Sequence, residues 1–253
     1  SSTDNRKFNN INERAFITTQ SIKKLKKHLK QWALDPSGWT HPSITGSFDI
    51  SKLDEDQNLY KKFMNDTFYK ERWIKEDGLE QKLIVTYSLK YRDYQRQIRN
   101  RQLARAVMLI ESNPHSIDKK RQNDYKRFIS SKKVTCDGEV AKKTIYSLDE
   151  ETIANEAMYD GFYAVCTNLN DDGSAIAKIN NRRWEIEECF RILKSEFKAR
   201  PVFLRRDDRI KAHFITCFLA LVIYRYLEKR LDEKFTTSEI VSQLRDMNFF
   251  ELI

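Results

Sequence analysis

Apolar residues recur along this chain at two periods, and the period predicts the elements. Residues 15–19 (AFITT), 83–89 (LIVTYSL), 144–148 (TIYSL) and 162–167 (FYAVCT) are short β-branched and aromatic runs that predict strands. Ile22, Leu25, Leu29 and Trp32 fall at helical spacing with five lysines around them, predicting a helix over residues 21–34. The run Asp35-Pro36-Ser37-Gly38 stops it. Residues 39–60 are polar and read as loop. A long basic helix is predicted over residues 90–111, ended by Asn113-Pro114, and a second over residues 118–129. Asp149 is placed to cap a short helix over residues 150–156. The C-terminal third predicts helices over residues 179–197 and 207–231, with a last one beginning at Thr237. The pattern is mixed α and β.

At 253 residues with 40% hydrophobic and 12% aromatic residues, the chain can bury a core without staples. Six Gly and four Pro argue against collagen-like or turn-dense all-β folds. The longest apolar run, 214–224 broken only by Thr216, is shorter than the roughly 18–20 residues a bilayer needs, so it reads as a buried helix. The four cysteines form no C-x-x-C pair; Cys166, Cys189 and Cys217 sit in apolar runs and read as reduced core residues, and the four histidines have no metal-ligand spacing.

Charge changes this picture. The net charge is +9, but residues 82–133 alone carry +10 and the rest of the chain −1. Clustered cations suggest a polyanionic partner or a solvated helix face. Arg92, Arg96 and Arg99 fall at i, i+4, i+7 on one side of the predicted basic helix and form the candidate phosphate-gripping stripe.

The stretch from Ile179 to Lys194 singles out one carboxylate. With Glu187 at zero on a helical wheel, Arg183, Lys194, Asn180 and Arg191 fall within about 40° of it, and Ile186, Phe190, Leu193 and Phe197 cluster at about −60° to −120°. Glu187 is therefore expected at the border of the buried face, with Glu185 and Glu188 pointing elsewhere. Trp184, beside the stripe, reads as core packing. Two readings stay open on residues alone. Arg183–Glu187 and Glu187–Arg191 are ordinary i,i+4 pairs worth a few tenths of a kcal/mol, or Glu187 is a hard oxygen ligand for Mg²⁺ with cations nearby to hold a phosphate backbone.

Four segments carry a resemblance: Asp160-Gly-Phe-Tyr-Ala-Val-Cys-Thr-Asn168; Arg183-Trp-x-Ile-Glu187-x-x-Phe-Arg-x-Leu-Lys194; Arg200-Pro-Val; and Arg209-Ile-x-Ala-His213. Together they resemble the bacterial insertion-sequence transposases with a DDE catalytic domain, in the cut-and-paste branch marked by Tyr-x2-Arg-x3-Glu-x6-Lys. Arg183, Glu187 and Lys194 match that spacing, while Asn180 stands where the signature has Tyr.

The resemblance implies an RNase H-like fold, a mixed sheet flanked by helices. Residues 1–35 would belong to the core, 36–165 to a β-containing insertion, and 166–253 to a helical C-terminal part bearing the catalytic Glu. It implies metal-assisted phosphoryl transfer with two Mg²⁺ or Mn²⁺ ions held by two Asp and one Glu. Glu187 would be the third acidic ligand; Arg183, Lys194, Arg191 and Arg200 would hold double-stranded transposon-end DNA, in a possible homodimer, in a bacterial cytoplasm and not in a membrane. The chain opens at Ser1 without Met and closes without a polar tail, so the other two acidic ligands are expected upstream of it, and it is expected not to cut DNA alone. Against this enzyme-part reading stand a truncated, non-catalytic DNA-binding regulator of transposition, and a protein–protein module dimerising through residues 207–231.

Overall fold

The strand that organises the N-terminal half is covered on both faces along its second half, residues 83–87. The computed structural model describes residues 3–112, 124–134 and 143–247, in two compact units, 1–177 and 178–253. In the first, α1 (Thr3–Phe8) and β1 (Ile17–Thr19) are followed by a 3₁₀ turn at Ile22–Lys24, α2 (Lys27–Leu34), β2 (Trp39–His41), β3 (Ile44–Phe48), α3 (Lys52–Glu55), α4 (Gln57–Phe63), β4 (Phe68–Glu76), β5 (Leu79–Tyr87) and α5 (Leu89–Ser112). A second 3₁₀ turn at Tyr125–Phe128 leads into β6 (Ile129–Val134), β7 (Lys143–Leu148), α6 (Glu150–Ala157), β8 (Phe162–Thr167) and α7 (Gly173–Asn181). β5 lies inside a six-stranded sheet of order β1-β8-β5-β4-β2-β3, while β6 and β7 pair separately. Leu83, Val85 and Tyr87 of β5 enter one core with Leu25, Leu29, Trp39, Phe68 and Cys166, and Ile84 enters a second with Val165 and Ile176 on the other face. A strand covered on both sides has to be continuously apolar, which is why residues 83–89 stand out in the sequence.

β4 and β5 form a hairpin, Glu76 opposite Leu79, closed by Asp77-Gly78 with φ of 51° and 76°. Two successive positive φ values fit the primed turns that match strand twist. Lys70 of β4 is buried on the core face. Its Nζ donates to the carbonyls of Asp35 (2.6 Å) and Trp32 (3.3 Å) at the end of α2 and lies 4.7 Å from the Trp39 ring centre. Burial pushes its pKa down. On the other face, Lys82 donates to the carbonyls of Asn170 and Asp171, and Asp172 accepts from Tyr69 Oη at 3.0 Å, fixing the turn into α7. Gly173 is required there, because a Cβ would meet the Tyr69 ring at 2.6 Å. That environment pushes the Tyr69 hydroxyl up to about 12, through burial first and Asp172 second.

Several elements differ from expectation. Residues 39–60 form two strands and two helices rather than a loop, because Trp39, Ile50 and Leu53 are buried anchors among polar neighbours. The start of the chain is a helix, and residues 21–34 divide into a 3₁₀ turn and α2 at Leu25, which is extended. The expected helix over 118–129 falls partly outside the described residues; its described end is the 3₁₀ turn and the first residue of β6. Every described strand pairing is antiparallel, where a mixed sheet was expected. Residues 1–35 and 36–165 share one unit, joined by β1–β8 hydrogen bonding. Asp149 caps α6 as expected, accepting from Thr152 N at 3.0 Å.

The second unit is α8 (Arg183–Ser195), α9 (Asp207–Arg230) and α10 (Thr237–Asp246). Thr236 and Glu239 form a reciprocal capping box that starts α10. Ile192, Leu221, Tyr224 and Ile240 form the core, with Cys189, Leu193 and Phe197 packed against it. The expectation that residues 214–226 are core is corrected. Leu221 and Tyr224 are buried, but Phe214, Ile215, Phe218, Leu219, Val222, Ile223 and Tyr226 are exposed, since α8 and α10 cover α9 on one face only. α9 is 24 residues long and contains an 18-residue stretch apolar enough to cross a membrane, a test the core helix of a globular protein also passes.

Candidate functional site

Glu187 lies on α8, whose packing stripe is set by Cys189, Ile192, Leu193 and Phe197. On the helical wheel that stripe centres about 150° from Glu187. The carboxylate accordingly points away from the unit's core, with 70% of its side chain exposed, rather than sitting at the border of a buried face. Ile186, Phe190 and Trp184, expected to be apolar packing, are exposed as well. Arg183 Nε lies 3.5 Å from Glu187 Oε1, one turn earlier. Lys194 is exposed on the same side. Arg191 instead approaches Glu188 at 3.3 Å, so the expected Glu187–Arg191 pair is replaced. Asn180 is not on this helix. α7 ends at Asn181 and α8 begins at Arg183, with Arg182 at φ −83°, ψ 7° between them, so the single helix expected over 179–197 is two.

Glu188, which sequence spacing set aside, anchors α8 to α9. Its carboxylate takes Arg225 at 2.9 Å, and Arg225 also reaches Glu228 and the Glu185 carbonyl. Arg225 first, then Arg191, hold the Glu188 carboxyl below the ordinary carboxylate range against a smaller burial effect. His213 donates from Nε2 to the Ala199 carbonyl at 3.2 Å, tying α9 to the loop that carries the exposed Arg200. The only sequence signal for Arg225 was a lone cation in an apolar helix.

The arginines of α5 are arranged the other way round. Arg92 is 4% exposed, and its guanidinium donates to Asp54 and to Tyr87 Oη. Arg99 makes a two-pronged contact with Asp160, Nη1 donating at 2.7 Å, and Arg96 Nε lies 3.8 Å from the same carboxylate. Gln95 on the same face accepts from Gly161 N at 2.7 Å. Gly161 has φ +84°, and a Cβ there would meet the Tyr87 ring and Arg92 at under 3 Å. The expected phosphate-gripping stripe is therefore corrected at Arg92 and Arg99, which are turned into the fold, while Arg96 is half-exposed. Arg127 continues the pattern, donating to Glu156 at 2.8 Å and to Gln102.

Comparison with known families places the chain. A family model described as the transposase DDE domain matches residues 14–223, most of the chain and all of α8. The chain belongs to the transposase DDE domain family. No curated protein and no solved structure matches it. Membership brings a transposase function and an RNase H-like fold, with DNA as the family's substrate class and a divalent metal in general use.

For a transposase DDE domain the test of the site is its donor set. Glu187 offers one exposed carboxylate, a suitable hard ligand for Mg²⁺ or Mn²⁺. Among the described residues no three His, Cys, Asp or Glu side chains gather as a metal site. The described residues alone do not fit a complete two-metal centre. Asp160, 6% exposed and bound by Arg99 and Arg96, is a structural anchor.

Proposed function

We propose that this chain is the part of a DDE transposase that supplies one metal-binding carboxylate, Glu187, and holds transposon-end DNA beside it. The observation that carries the reading is Glu187 exposed on α8 with Arg183 one turn before it, inside the matched family segment. Arg183, Lys194, Arg191 and Arg200 supply cations to the phosphate backbone on either side of that carboxylate. Glu187 would hold part of a Mg²⁺ or Mn²⁺ site, and such an ion, once the full carboxylate set is present, would supply Lewis-acid chemistry for phosphoryl transfer. Glu187 would contribute a negative ligand, and Arg183 would orient it through their 3.5 Å contact. Cutting and joining would require the two further carboxylates of the family's set, and two copies would hold two ends.

The test has two arms. The 253-residue chain is expected to bind duplex DNA without nicking it in Mg²⁺ or Mn²⁺; nicking by the pure chain that Glu187→Ala abolishes would overturn the single-carboxylate assignment. In a protein carrying this chain with the full carboxylate set, Glu187→Gln is expected to lower cleavage on the order of 10²–10³-fold or more while DNA binding persists. Undiminished cleavage would refute the role of Glu187.

A further inference from the structure

The +10 segment does not supply a free cationic surface at Lys82, Arg92, Arg99 or Arg127, because each is paired within the chain. A different surface does. Between the start of α2 and the outer end of β4 runs a groove of about 210 Å³ lined by Lys26, His28, Arg72 and Lys75, over Leu29 and Ile74. Trp73 and Glu76 complete the lining. β2 pairs with β4 only at Thr40–Tyr69, so the edge of β4 from Arg72 onward is left open beside this groove. Lys26, Arg72 and Lys75 have exposed side chains, and none makes an ion pair among the described residues.

Two features point to an anionic partner. Arg72 lies with its guanidinium 5.3 Å from the Trp32 ring centre, an arrangement that pre-orients the planar fork without consuming its hydrogen-bond donors. Lys26, Lys27 and His28 also crowd the beginning of α2, whose first turn contains no acidic residue. Cations there oppose the helix dipole, a local conflict of the kind that marks functional surfaces. The only acidic side chain in the groove is Glu76.

We infer that this groove is a second DNA-backbone site, in which Lys26, Arg72 and Lys75 contact phosphates of a duplex. The inference rests on the DNA-acting reading above and adds a contact surface in the first compact unit. Phosphate contacts of this kind position a duplex without reading its sequence.

The experiment is the salt dependence of duplex binding by the 253-residue chain, read by fluorescence anisotropy. Removing three phosphate contacts should reduce the slope of log affinity against log salt by roughly 2–3. The triple variant Lys26→Gln/Arg72→Gln/Lys75→Gln should show this, with affinity at low salt down on the order of tenfold or more. The pair Lys26→Gln/Lys75→Gln, which keeps the Arg72–Trp32 contact, should give roughly two thirds of that change and guards against misfolding. The control is Lys52→Gln/Lys61→Gln/Lys62→Gln, which removes the same charge from exposed positions on α3 and α4 and should leave the slope unchanged. An unchanged slope in the groove variants, with the parent chain binding DNA, would overturn the groove and leave the DNA reading intact. An equal loss in the control would also overturn it, as a net-charge effect. Absence of salt-dependent binding by the parent chain would remove both.

Discussion

Helices α5 and α8 both carry arginines at one-turn spacing, and they use them in opposite ways. On α5 Arg92 and Arg99 are turned inward. They reach Asp54 and Asp160 and help hold the helix to the sheet and to the turn before β8. On α8 the inward face is Cys189, Ile192, Leu193 and Phe197, and the cations ride the outside around an exposed Glu187. The basic helix therefore does not present its arginines as one free stripe: Arg92 and Arg99 are held by carboxylates, while Lys90, Arg96, Arg101 and Arg105 are exposed. Spacing along one helix does not report whether a cation is held by a carboxylate far away in the chain.

The comparison breaks most readily at Asp160. Asp160→Asn leaves Arg99 without a counter-ion in a mostly buried site and is expected to cost about 2–4 kcal/mol, measured by denaturant unfolding. The slope of DNA affinity against salt should stay where it was; a changed slope would return the α5 arginines to the DNA interface. Gly161→Ala forces a side chain into a left-handed backbone position against Tyr87 and Arg92, and should cost about 2 kcal/mol, again without a binding effect.

A smaller effect sharpens the α8 side. The Glu188 carboxyl is held below its ordinary value of 4.5, so its pairing with Arg225 contributes stability above about pH 4.5 and loses it as pH falls through the depressed value. Glu188→Gln should flatten the acid limb of the unfolding curve and lower neutral-pH stability by about 1 kcal/mol. An acid limb identical in parent and variant would remove the Glu188–Arg225 clasp from the account. The smallest stability effect is expected at the proposed site itself. Glu187→Gln should change unfolding free energy by only a few tenths of a kcal/mol, because an exposed i,i+4 pair is worth no more.

What the sequence revealed depended on whether the cause was local. The strand at 162–167 and the second half of the strand at 79–87, expected at 83–89, were legible because covered strands need runs of apolar residues; Glu80, Gln81 and Lys82 hid the first half. The cap at Asp149 was legible because capping is decided within four residues. β4 was missed because its buried Lys70 and its exposed Trp73 hide the alternation, although Asp77-Gly78 marks its turn. The α5 arginines were misread because their partners lie 38 and 61 residues away in the chain. At the candidate site, Arg183, Glu187 and Lys194 were singled out by spacing and resemblance, and the break at Arg182 that places Asn180 on the preceding helix was not legible.

The measurement that bears most directly on the account is the salt slope of duplex-DNA binding by Arg183→Gln/Lys194→Gln, taken together with its unfolding free energy. The account predicts a slope lower by roughly 2 with stability within about 0.5 kcal/mol of the parent. An unchanged slope, or a stability loss as large as that of Asp160→Asn, would mean that the α8 cations serve the fold as the α5 arginines do.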